Sequence, residues 1–376
     1  MQEPFRYRRT VRCAVTLALV MALAVQTGLV IAANADEPAT SSEETWENVS
    51  EAFTKEIGAD DITPAYLNRC QGMIVTPIGD IVIQTSTKGI CVSRDQGATW
   101  SVVADNNLTG RCEHGFAFSI AYPYDGRMAF FSFDGGPWGT SGGMSLDGAK
   151  TWKPFTKVQR GWEFGDVDWN ARDPQTVYGV THEPYYSLLS DDGGKSWRRL
   201  DKDETGSNTK YSVGLIDAKT LTRYNPSKDG GIIELSEDAG QTWTQVAADY
   251  RVTGRSLVHY GRKAYWTTSQ GVITSTDGKK WTLTGEGAER SSYGPYFGSS
   301  DQEFVVVTDK QFLKTEDGGK TWSPIAKVYK APDIFKGMPA YSFFGWDSKH
   351  DILYASGLGA SVYRLPLRPQ PRGTEP

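Results

Sequence analysis

An eight-residue pattern, Ser/Thr-x-Asp-x-Gly-x-Thr/Ser-Trp, recurs six times along this chain and restricts it to a ring or stack of like units. It occupies residues 93–100 (SRDQGATW), 145–152, 190–197, 236–243, a shortened 275–281, and 315–322. Its aspartates, Asp95, Asp147, Asp192, Asp238, Asp277 and Asp317, fall 39 to 52 residues apart. That spacing is the period of one propeller blade, roughly 40 to 50 residues.

Each repeat offers three strand-like runs before the octad and one after it. In the first repeat these are residues 72–76, 80–85, 89–93 and 99–103. The last repeat has only three, at 340–345, 352–355 and 361–365, and no octad. Its missing outer strand is supplied from the other end of the chain, because residues 45–49 (TWENV) match the stretch after each octad turn. The expected fold is therefore an all-β, seven-bladed β-propeller closed by its N-terminal strand, an arrangement that leaves only short, protected sheet edges. A length of 376 residues exceeds the roughly 250 to 300 at which one core stops growing, but a propeller grows by adding blades. A single domain over residues 45–365 is expected.

The two ends read differently. Arg6, Arg8, Arg9 and Arg12 precede an apolar run over residues 14–33 and then Ala33-Asn34-Ala35, a small-x-small cleavage pattern. Residues 1–35 are expected to be an export signal cut before Asp36, giving a secreted or periplasmic monomer. The alternative is an uncleaved anchor, since the run approaches the about 20 residues needed to span a bilayer; Gln26, Thr27 and Gly28 interrupt it. Loss of the signal removes four arginines and one glutamate, which takes the formal charge from −5 to −8. So acidic a body excludes nucleic acid and, after cleavage, an anionic membrane surface as partners. Residues 36–44 (DEPATSSEE) form an acidic linker and residues 366–376 a Pro-rich disordered tail.

Three cysteines remain after cleavage. Cys70 and Cys112 occupy matching places in consecutive repeats and could pair outside the cytoplasm. Cys91, inside an apolar strand, is expected to be a small buried hydrophobe. Within each octad, Asp and Ser/Thr can bond to their own turn, Gly permits left-handed backbone, and Trp can wedge between blades. A calcium loop is not supported, because no bidentate Glu stands at the required offset. No metal or cofactor is expected.

These octads resemble the Asp-box, or bacterial neuraminidase repeat, of the sialidase-like propeller superfamily, and the resemblance covers essentially the whole mature chain. The superfamily includes sialidases, xyloglucan hydrolases, some polysaccharide lyases, sortilin-type receptors and the photosystem II assembly factor. What the resemblance implies is a propeller that binds and processes a glycan, as a glycoside hydrolase or polysaccharide lyase, or alternatively a non-catalytic scaffold or receptor. Two departures weaken the sialidase branch, since the Arg-Ile-Pro of sialidases is absent and sialidases have six blades; that chemistry would need an arginine cluster and a nucleophilic Tyr beside Glu, for which Arg69, Arg111, Arg255 and Tyr293 are the nearest material. Residues 168–178 (DWNARDPQTVY) together with the octad at 190–197 are similar to the repeat of the xyloglucanase, sortilin and photosystem-assembly branch.

In propellers, the loops leading into each inner strand and those between the second and third strands gather at one mouth of the channel. Reading those positions gives Arg69 and Gln71; Arg111, Glu113 and His114; Trp162, Glu163, Asp166 and Asp168; Lys210 and Tyr211; Arg255; Tyr293 and Tyr296; Lys336 and Tyr341. The second-to-third-strand loops add Trp138, His182, Glu183, Tyr185 and Tyr186. Such a mixture suits a sugar, with aromatic faces for its C–H surfaces and charged groups for hydroxyls or a carboxylate. Glu113, His114, Asp166, Asp168, His182 and Tyr185 are the candidate catalytic groups. Arg69, Arg111, Trp138, Trp162, Arg255 and Tyr293 are the candidate substrate-binding groups. A hydrolase would use two of the acids, about 5 to 10 Å apart; a lyase would use a cation with His or Tyr to move a proton. Each has a structural reading beside the functional one: Asp166 and Asp168 could solvate the channel, and Trp138 and Trp162 could pack loops.

Overall fold

The computed structural model describes residues 44–58, 69–104, 108, 110, 118–133, 142–158, 161–182, 185–200, 212–226, 230–328 and 342–368. The signal, most of the acidic linker, Cys112 and nearly all of the Pro-rich tail lie outside them. Seven four-stranded antiparallel sheets form the propeller. Blade 1 is Gly72–Val75, Ile81–Thr85, Gly89–Ser93 and Ser101–Ala104. The inner strands of the next six are Phe118–Ile120, Trp162–Val167, Ser212–Leu215, Val258–Tyr260, Tyr293–Phe297 and Ser342–Asp347. Inner and second strands of blade 1 are buried at every position, since stacked blades cover both faces of each sheet. Period-two alternation disappears there for that reason.

The octads act as local clamps. In the first, Ser93 Oγ donates to Asp95 and accepts from the Gly97 N–H at 2.8 Å, while Thr99 donates to Asp95 through both its N–H and its hydroxyl. The same bonds recur at Asp147, Asp192, Asp238 and Asp317. These bonds keep Thr99 and Trp100 in the turn, so the outer strand starts at Ser101, two residues later than the sequence suggests. The turn needs two successive residues at positive φ. In the second octad Ala149 stands beside Gly148 and still adopts φ 60.

Hydroxyl and amide donors hold three of these aspartates at a pKa of about 2: Ser196 leads at Asp192, Thr242 at Asp238 and Thr321 at Asp317. A carboxylate depressed in the folded state stabilises it above the unfolded value of about 4 and stops doing so as pH falls through about 2. The melting temperature is therefore expected to fall steeply in that interval. Asp192→Asn should flatten the slope, and a series of thermal melts against pH measures it; an unchanged slope would remove the octads from acid stability.

Closure is as expected. Glu47–Asn48 pairs antiparallel with Tyr363–Pro366 as the outer strand of blade 7. Val49 N–H donates to Val362 O, Ser50 Oγ accepts from Val362 N–H, and Arg364 pairs with Glu47 at 2.7 Å. On its other side the segment meets blade 1, where Trp100 Nε1 donates to Val49 O at 2.8 Å. Gly97 is required here: its φ is +94, and a Cβ would come within 2.5 Å of Val49. The short helix Glu51–Glu56 was not expected from the sequence. Asn48 Oδ1 accepts from the N–H groups of Ser50 and Glu51, and Phe53 stacks on Trp100 with centroids 5.4 Å apart. Cys70 and Cys91 are buried, and Cys112, with which Cys70 could pair, lies outside the described residues.

The axis is filled rather than open. At the end away from the mouth, Tyr122 of blade 2 stacks on Tyr260 of blade 5, and both meet Phe297 of blade 6 edge-on at 5.2 Å. Gly261 N–H donates to Tyr122 O at 2.7 Å. Above this floor lies Asp166, wholly buried. Its carboxylate accepts from Ser119 Oγ, the N–H groups of Val167 and Leu215, and His259 Nε2 at 3.1 Å. Trp169 Nε1 donates to the same Ser119 oxygen. One side chain thus joins blades 2, 3, 4 and 5.

Candidate functional site

The inner strand of blade 3 slips register between Trp162 and Phe164, opposite Thr181 and Val180, which makes Glu163 the extra residue of a β-bulge. A bulge re-aims a side chain that simple alternation would place elsewhere. Trp162 and Phe164 both enter the core, at 1 % and 0 % exposure. Glu163 instead brings Oε2 to within 2.5 Å of His182 Nδ1. With an ionised carboxylate, which only accepts, this bond requires the proton on Nδ1.

His182 directly succeeds the second strand of the same blade, Val177–Thr181, and its N–H donates to Gly161 O at 3.1 Å. Its ring lies against Phe133 of blade 2 with centroids 4.2 Å apart and planes 21° from parallel. Held by backbone, carboxylate and phenyl ring, the imidazole has one orientation. Its side chain is 16 % exposed, and Nε2 makes no hydrogen bond among the described residues. An imidazole held in this way keeps its second nitrogen unbonded among the described residues, and such a group can take or give a proton.

Arg255 comes from the segment leading into blade 5. That segment runs parallel to the inner strand of blade 4: Val213 N–H donates to Arg255 O at 2.9 Å and Leu257 N–H to Val213 O at 3.1 Å. The guanidinium lies over the Phe164 ring, 5.3 Å from its centroid. Burial draws its pKa down from the ordinary arginine value, while the charge of Glu163, and then Tyr293 and Tyr185, opposes that shift. The Tyr293 oxygen accepts from the Ser342 N–H, and burial raises its pKa, so the phenol keeps its proton at neutral pH. Tyr293 packs edge-on against Phe344 at 4.9 Å, and its strand also slips register, between Tyr293 and Tyr296.

Of the groups expected at the mouth, the structure brings together His182, Tyr185, Arg255 and Tyr293 around Glu163. It places others apart. Asp166 lies three residues further along the strand, about 10 Å at the usual rise, and its oxygens are taken by four donors. Asp168 is further still, beyond the strand's end, where its Oδ1 accepts from the N–H and amide of Asn170. Burial raises its pKa, the Asn170 bonds oppose this, and Asp166 and Asp217 add to the rise. Trp162 has no exposed face: it sits against Trp197 at 4.4 Å and edge-on to Phe131, so it cannot stack on a sugar while the blades are together. Arg69 precedes the inner strand of blade 1, its carbonyl accepting from Gln71. Arg111, Glu113, His114 and Trp138 lie outside the described residues. Reading by loop position did not single out Phe133 or His259; a count of only four histidines was the available signal for the latter.

No family model matches the chain. The Dispase autolysis-inducing protein of Streptomyces mobaraensis is 26 % identical over 155 residues, a match covering 41 % of this chain and 40 % of that protein. The chain is thus matched to about two fifths of that relative's length. Among solved structures, a catalytically inactive virginiamycin B lyase from Staphylococcus aureus with quinupristin aligns over 80 % of this chain and 95 % of its own, with 11 % identity and a TM-score of 0.50. YCF48 with a bound peptide aligns over 79 % and 94 %, at 14 % identity and TM-score 0.45. A GH74 enzyme from Niastella koreensis aligns over 77 % and 55 %, at 12 % identity and TM-score 0.37. At such identities the likeness is one of fold. A fold does not of itself choose an activity.

Proposed function

We propose that this mouth binds and processes a glycan, with His182 as the group that moves a proton and Glu163 as the residue that orients it, in an exported, monomeric protein. The observation that carries the reading is the bond of 2.5 Å between Glu163 and His182 Nδ1, with Nε2 left for a ligand. Proton abstraction is favoured over hydrolysis by paired acids. Glu163 is engaged with His182 and Asp166 with its four donors, so among the described residues neither is a second carboxylate placed across a scissile bond. Tyr185 and Tyr293 add hydroxyl groups near Arg255.

A polypeptide partner is the second reading, favoured by the Streptomyces relative, whose name refers to inducing autolysis of dispase. A depolymerisation screen over neutral, sialylated and uronate polymers separates the two. New reducing ends that disappear in His182→Ala are expected. Absence of binding and turnover across the whole set would overturn the glycan reading and make a polypeptide the ligand to seek.

A further inference from the structure

We infer that Arg255 is the receptor for a carboxylate carried by the ligand, so that the sugar this mouth accepts is an acidic one of the uronate class. The inference rests on the mouth being a glycan site, as proposed above, and adds the substrate class. An ionised side chain withdrawn from water is costly unless an anion meets it. Among the described residues, Arg255 makes no side-chain hydrogen bond and no ion pair; what it has is the face of Phe164 beneath it. The nearest anion that acts on it electrostatically, Glu163, already holds His182 at 2.5 Å. The guanidinium is therefore held in place with its charge uncommitted.

Its placement is specific. The Val213–Ser256 bridge fixes the backbone on either side, and the guanidinium carbon lies over the Phe164 ring, 5.3 Å from its centroid. Its N–H groups form a fork of parallel donors that matches the two oxygens of a carboxylate. Tyr293 and Tyr185 lie close enough to feel its charge and offer hydroxyls to the same group. A carboxylate neutralised there would have its adjacent C–H made more acidic, next to an imidazole oriented to take a proton. Substrate recognition and proton abstraction then belong to one cluster.

The test is titration of the isotopically labelled full chain with D-galacturonate, D-galactose and inorganic sulfate, following the His182 imidazole resonances and so needing no turnover. Galacturonate is expected to shift them at concentrations at least tenfold below galactose. Arg255→Gln should remove that preference, and Arg255→Lys, which keeps the charge but not the fork, should weaken galacturonate by about tenfold while the circular dichroism stays native. If Arg255→Gln does not fold, the lysine variant alone decides. Equal response to galacturonate and galactose, or unchanged galacturonate binding in Arg255→Lys, would overturn the assignment and leave the glycan site standing. Sulfate competing as well as galacturonate would overturn the carboxylate specificity. No response to either sugar would remove the glycan reading itself.

Discussion

Asp166→Ala is expected to cost about 3 to 5 kcal/mol of stability, because it leaves several buried donors without an acceptor at about 1 to 3 kcal/mol each. The substitution leaves the Leu215 N–H, Ser119 and His259 facing an empty space at the centre of four blades. For a domain of this size that corresponds to a fall in melting temperature of roughly 4 to 8 °C. Asp166→Asn should lie between, since it keeps one acceptor oxygen and turns an amide toward the remaining donors. Scanning calorimetry measures both. A drop of less than about 2 °C for the alanine variant would mean that packing alone holds the blades at the axis.

The second large effect falls on turnover. His182→Ala should reduce glycan processing by about 10²- to 10⁴-fold, the range supplied by a positioned general base, with the ring still closed but the melting temperature lowered modestly, because the buried Glu163 carboxylate loses its partner. The expectation of an intact fold comes from position: the imidazole closes no blade, and Phe133 and Gly161 remain paired through their backbones. Glu163→Gln keeps the shape and one acceptor oxygen but loses the charge, so it should lower turnover less than His182→Ala. Rates and melts measured on the same preparations test this. Loss of stability matching the loss of rate would make the pair structural rather than catalytic.

The fold was legible because each octad carries its own hydrogen bonds. Ser93, Asp95, Gly97 and Thr99 satisfy one another within a single turn, so the pattern states the turn wherever it occurs. The closing strand was legible for a related reason, since residues 45–49 share the pattern of the outer strands that leave these turns. The site was legible only as a set of loops. Glu163 becomes the partner of His182 through a bulge, and nothing in residues 161–164 (GWEF) announces the extra residue. Asp166 and Asp168 alternate on one strand and so suggested a channel wall. Asp166 instead meets Ser119, Leu215 and His259, which stand 47, 49 and 93 positions away. Trp162 was the other misdirection, because a tryptophan outside the octads looks available until Trp197 and Phe131 cover it.

The seam of the ring sets a timetable for folding. Glu47 and Arg364, which meet across it, are 317 positions apart. During synthesis the first blades can assemble from neighbouring segments, because each is a local meander. The outer strand of the last blade has no partner until Tyr363–Pro366 has emerged. Contacts of such separation are the slowest to form, so the ring stays an open arc until its final moments. A chain that stops short of those residues carries an unfilled strand edge at both ends, and such edges recruit other chains. Only a chain extending through Pro366 can bury the strand that came first.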